Sequence, residues 1–179
     1  MKMRNKKLIL LFCLCLSNIC FAINAENLLP NSGFEKIKNR MPEGWKFEFG
    51  TGFSFGELER ENVFAGQNAV KIACKEEGSS DWRVLETFLD IDPEKSYKAS
   101  VQVYSTSKIE GSHYLELQWF GKDGYISRDR AVSKVVNKWD KVEIKGVKPP
   151  IGATHVAVLL RVYEPGDYYF DDIYFAVAK

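Results

Sequence analysis

Through most of the chain, apolar and polar residues alternate with a period of two, in stretches broken by turn-forming residues every eight to twelve positions. The stretches GWKFEFGTGFSFGEL, NAVKIACK, WRVLETFLDI, SYKASVQVYS, HYLELQWF, GYISRDRAV, WDKVEIKGV, HVAVLLRVY and DYYFDDIYFAV all read as strands, and none carries a helical stripe. The breaks between them have mechanisms. Asp92-Pro93 fixes a bend, Asp123-Gly124 offers the positive dihedrals of a tight hairpin, and Pro149-Pro150 with Gly152 stops one strand before the next. The pattern predicts an all-β protein built from two packed antiparallel sheets.

Alternation also sorts side chains by face. Tyr97, Ala99, Val101 and Val103 form one inward set, Leu115, Leu117 and Trp119 a second, and Val156, Val158, Leu160 and Val162 a third. Gln102, Tyr104, Tyr114, Glu116, Gln118, Arg161 and Tyr163 are left to face away from the core, and Trp82 shares a face with Glu86. These side chains predict one solvent-facing surface of aromatic rings, amides, carboxylates and an arginine. Trp45 and Trp139, at strand starts, read as structural, and Cys74 reads as a small buried apolar residue.

The first residues stand apart from this pattern. MKMRNKK is followed by the apolar run LILLFCLCL and by small residues at Ala22 and Ala25, the layout of a secretory signal peptide over residues 1–25, cleaved after Ala22 or Ala25. Residues 26–179 then form one domain, expected to be secreted, periplasmic or at the cell surface, with no membrane insertion after cleavage. Of the 25 basic and 24 acidic residues, the leader takes Lys2, Arg4, Lys6 and Lys7 and no acid, which leaves 21 against 24, a net charge of −3. A mildly acidic domain argues against nucleic acid as a partner. Cys74 is the one cysteine after the leader, so no intramolecular disulfide is expected there.

Several phrases, in order, resemble one family: NLLPNSGFE, PEGW, AGQNAVKI, DWRVLETFLDIDPEKSYKASVQVY, LELQWFGKDG, WDKVEIKGVKPPIGATHVAVLL and GDYYFDDIYF. They are similar to the carbohydrate-binding modules attached to xylanases and cellulases, the galactose-binding-like jelly rolls of families 4, 9 and 22. The resemblance implies a jelly-roll sandwich whose first and last segments lie side by side around a structural Ca²⁺. Glu35 and Asp171 fall on the metal positions, with Asp172 replacing Asp171 if the register is one residue out.

It also gives the polar surface a use. Pyranose rings stack their C–H patches on aromatic faces, while their hydroxyls need fixed donors and acceptors. Trp82 and Tyr104 are the expected stacking residues, and Glu86, Gln102, Glu116, Gln118 and Arg161 line the same ligand site. The expected function is non-catalytic binding of a β-glycan or xylan-type polysaccharide or oligosaccharide. Two alternatives stand beside it: a cell-surface interaction or adhesion scaffold with an envelope or enzyme partner, and a small glycan-active hydrolase or lyase using Glu86 and Glu116. No catalytic residue is assigned, because His113 and His155 have no partners at catalytic or metal-ligand spacing.

Overall fold

The computed structural model describes residues 25–49, 55–75 and 83–178. Its strands are β1 (Ile37–Lys38), β2 (Met41–Pro42), β3 (Lys46–Phe49), β4 (Phe55–Glu59), β5 (Ala69–Cys74), β6 (Arg83–Asp90), β7 (Tyr97–Ser105), β8 (His113–Gly121), β9 (Gly124–Val132), β10 (Asp140–Val147), β11 (Ala153–Val162) and β12 (Gly166–Val177). No described residue is helical. A first sheet has the order β10-β7-β12-β5-β4 and a second the order β3-β6-β11-β8-β9, while β1 and β2 pair separately. Every pairing is antiparallel, and the two five-stranded sheets form the expected jelly-roll sandwich.

The predicted inward sets meet between the sheets. Val101, Val103, Ile72 and Phe170 of the first sheet join Leu85, Leu115, Leu117, Val158 and Leu160 of the second in one buried cluster. Each such side chain contributes about 1.5–3 kcal/mol on leaving water. Trp119 is fully buried among them, and its Nε1 donates to Asp129 Oδ2 at 2.7 Å, so its polar group is satisfied. Trp45 packs edge-on against Phe34 with ring centroids 5.3 Å apart, and Cys74 is buried in β5.

Two features differ from the pattern-based expectation. GWKFEFGTGFSFGEL is two strands in different sheets, β3 and β4, with residues 50–54 between them outside the described residues. In the β8–β9 hairpin, Gly121 pairs with Gly124 across Lys122-Asp123, and only Gly124 takes a positive φ, +107°.

The path between sheets positions the candidate site. β6, β8, β9 and β11 belong to the second sheet, but β7, β10 and β12 belong to the first. Residues 106–112 therefore carry the chain from one sheet to the other between β7 and β8.

Candidate functional site

The seven expected ligand residues do not share one surface. Glu86 on β6, Glu116 and Gln118 on β8, and Arg161 on β11 lie on the outer face of the second sheet. Gln102 and Tyr104 lie on β7 in the first sheet, so their outward side chains face the opposite way. Trp82 and the expected leader, except for Ala25, lie outside the described residues. The single surface is corrected to two, because alternation tells inside from outside but not which sheet a strand joins.

On the second sheet, strand register sets outward side chains in rows. Lys46, Glu86, Leu159, Glu116 and Arg130 stand opposite one another across the sheet. The next rows hold Arg161 beside Tyr114, and Phe88, Ala157, Gln118 and Arg128. Glu116 is the hub. Its Oε1 accepts from Arg161 at 2.9 Å and from Gln118 Nε2 at 2.6 Å, and Arg128 lies 3.7 Å from its Oε2. Both Glu116 and Arg161 are buried, at 0% and 3% exposure, although they belong to an outward face. The Oε2 oxygen has no hydrogen-bond partner.

Aromatic rings flank this hub on two sides. Tyr114 and Tyr163 stack at 5.1 Å, with the Arg130 guanidinium 5.4 Å from the Tyr114 ring and Arg161 5.7 Å from the Tyr163 ring. Burial, and then the neighbouring Tyr163, push the pKa of the Tyr114 hydroxyl up. On the other side, Phe120 lies 5.9 Å from Phe88 and 6.0 Å from Tyr125. Phe88 and Tyr125 are more than half exposed, at 57% and 53%. Gln118, Phe120, Tyr125 and Arg128 line a cleft of about 420 Å³ beside them.

Phe88, Tyr114, Phe120, Tyr125, Arg128 and Tyr163 are thus site residues beyond those expected from sequence. Parity placed Tyr114 and Tyr163 outward, but only the β8–β11 register brings their strand ends together. At the sheet margin, Lys46 pairs with Glu48 and lies 3.9 Å from Glu86, whose pKa is raised by burial and then by Glu48. Leu159 separates Glu86 from Glu116 in the register, so the two carboxylates do not form an adjacent pair.

The two chain ends do lie side by side. Leu28 N donates to Phe175 O at 2.7 Å, Ile173 N to Ser32 O at 3.0 Å, and Asn27 bonds Ile173 and Phe175. Glu35 and Asp171 both hold the loop before β5. Glu35 accepts from Gln67 N at 2.8 Å, Asn68 N at 3.2 Å and Asn68 Nδ2 at 2.9 Å. Asp171 accepts from Phe64 N at 3.0 Å, Ala65 N at 2.9 Å and Asp172 N at 2.7 Å. Between these anchors Gly66 has φ +70°, and a Cβ there would lie 2.0 Å from Glu35 Oε1.

This arrangement does not fit the calcium expectation. Ca²⁺ takes six to eight oxygens, whereas the loop presents N–H groups to both carboxylates. Asp172 is exposed on the outer face, away from the buried Asp171. No group of three or more His, Cys, Asp or Glu suited to a metal occurs among the described residues.

No protein-family model and no curated protein matches this chain. Solved structures do match. The CBM22-1 xylan-binding domain from Paenibacillus barcinonensis Xyn10C superposes with a TM-score of 0.65 at 15% identity, over 87% of this chain and 96% of that one. TmCBM61, solved in complex with β-1,4-galactotriose, gives 0.58 at 17% identity, over 86% and 99%. The enzymatically active domain of bacteriophage CBA120 tailspike protein 4 gives 0.66 at 13% identity, over 84% of this chain but only 21% of that one. This chain therefore shares its fold with the two modules over nearly their whole length and with about a fifth of the tailspike chain.

Proposed function

Taking the carbohydrate-binding-module fold as the premise, we propose that the outer face of the second sheet binds a polysaccharide or oligosaccharide without catalysis. The carrying observation is the cleft of about 420 Å³ beside the exposed rings of Phe88 and Tyr125, where buried Glu116 orients Gln118 and attracts Arg128. Gln118 and the half-exposed Arg128, both held by this buried carboxylate, are the groups that reach sugar hydroxyls. Phe88, Phe120 and Tyr125 supply rings for the C–H faces of pyranoses.

The reading is supported by the xylan-binding and galactotriose-bound modules that share the fold. A β-glycan of the xylan or galactan type is the proposed ligand class. The basic-then-apolar opening of the sequence supports export, so the proposed place of action is outside the cytoplasm, in the periplasm, at the cell surface or beyond.

Titration calorimetry with xylohexaose and β-1,4-galactotriose tests this function. Binding by the wild type, with at least tenfold weaker binding at this face in Gln118→Ala, is the expected result. Reducing ends that accumulate with time would replace binding with hydrolysis.

A further inference from the structure

The outer face of the first sheet carries a second set of the same chemistry. Inward Val103 and Phe170 put their neighbours Tyr104 and Tyr169 outward, directly opposite each other in the β7–β12 register. Trp139 immediately precedes Asp140, which pairs with Val103, so its ring falls next to Tyr104. Three rings therefore run across the sheet, with centroids 5.7 Å apart for Tyr169–Tyr104 and 6.0 Å for Tyr104–Trp139. All three are half-buried, and Phe64 extends the row 5.5 Å from Trp139 while remaining 45% exposed.

A groove of about 370 Å³ adjoins this row, reached along β7 from Tyr104 to Gln102. It is opened by a break in register between Asp171 and Tyr174, where Asp172 at φ +45° turns outward between buried Asp171 and Ile173. Its charges balance: Lys98 and Lys141 face Glu143 and Asp172, with Lys141 and Glu143 3.6 Å apart. A balanced set of donors and acceptors complements an uncharged, hydroxyl-rich ligand and gives no net attraction for a polyanion. It also differs from a protein-docking surface, whose centre is depleted of charged residues.

We propose that this face is a second saccharide-binding surface for a neutral glycan chain, with Tyr104, Trp139 and Tyr169 against the sugar rings and Gln102 hydrogen-bonding their hydroxyls. Packed sheets lie about 10 Å apart with their outer faces turned away from each other. One molecule therefore holds two glycan chains, one on each side. The groove is of a size that takes small ligands, about 300–1,000 Å³.

The test follows the Trp139 indole N–H and the Gln118 side-chain amide by ¹⁵N-resolved NMR during titration with xylohexaose, and separately with β-1,4-galactotriose. Trp139→Phe assigns the indole signal. The expected result is saturable movement of the Trp139 signal in the wild type and in Gln118→Ala, with the midpoint shifted at least fivefold upward in Gln102→Ala. Movement of the Gln118 signal with a stationary Trp139 signal overturns this second surface and leaves the first intact. Movement of Trp139 alone upholds the second surface and overturns the first, and silence at both overturns both. A Trp139 response that disappears in Gln118→Ala also overturns the proposal, because the two surfaces would then be one coupled site.

Discussion

The two outer faces of the sandwich use similar residue types in different physical settings. On the second sheet the polar hub is buried: Glu116 and Arg161 are 2.9 Å apart with almost no exposure. On the first sheet charged pairs lie at the surface, as with Lys141 and Glu143, 3.6 Å apart. Buried pairs are strongly coupled to folding and fix geometry, whereas exposed pairs are screened and contribute little. The second sheet therefore presents a rigid, pre-oriented site and the first a more adaptable one.

The largest expected effect breaks the rigid side. Glu116→Ala leaves Arg161 buried without its carboxylate, so urea unfolding should show a loss of about 3–5 kcal/mol. The matching change on the other face, Gln102→Ala, should stay within about 0.5 kcal/mol. Similar losses from both would erase the contrast.

The next effect comes from between the faces. His113 is buried at the start of β8, its ring 5.3 Å from Tyr168, and burial lowers its pKa from 6.5 to about 4. The unfolded chain then binds a proton that the folded chain refuses. Stability is thus fully present above about pH 6.5, falls as the pH drops, and levels off below about pH 4, with a total loss of about 3 kcal/mol. Chemical denaturation at stepped pH measures it, and His113→Leu should flatten the slope over that range. A slope unchanged by the substitution would assign the pH dependence to other groups.

Smaller still is the clip at the chain ends. Glu35→Ala removes hydrogen bonds to an exposed charged acceptor, screened by water, and should cost about 0.5–1.5 kcal/mol. Its carboxyl pKa is lowered by the Gln67 and Asn68 donors, although burial opposes them. The resulting stability is present above the usual carboxylate range and fades as the pH falls through the lowered folded value. Exhaustive chelation should leave the melting temperature unchanged. A drop on chelation that calcium restores would return the metal to this site.

Much of the fold was legible because period-two alternation reports burial directly. Leu115, Leu117 and Trp119 are where parity puts them, and so are Val156, Val158 and Leu160. Sheet membership was not legible, since Gln102 and Glu116 alternate identically although their strands lie in opposite layers. The burial of Glu116 was also hidden, because it depends on Arg161, 45 residues away in sequence. Glu35 and Asp171 were found as a pair, but their N–H partners depend on how the loop from Phe64 to Asn68 turns its backbone.

The most direct measurement is retention of the purified protein on immobilised soluble xylan and galactan, with Gln102→Ala and the Gln102→Ala/Gln118→Ala double variant run in parallel. The expected result is retention of the wild type by at least one of them, and at least tenfold weaker retention of the double variant than of Gln102→Ala. A folded wild type that passes through both unretarded, or a double variant held as tightly as Gln102→Ala, would contradict a glycan site on the second sheet.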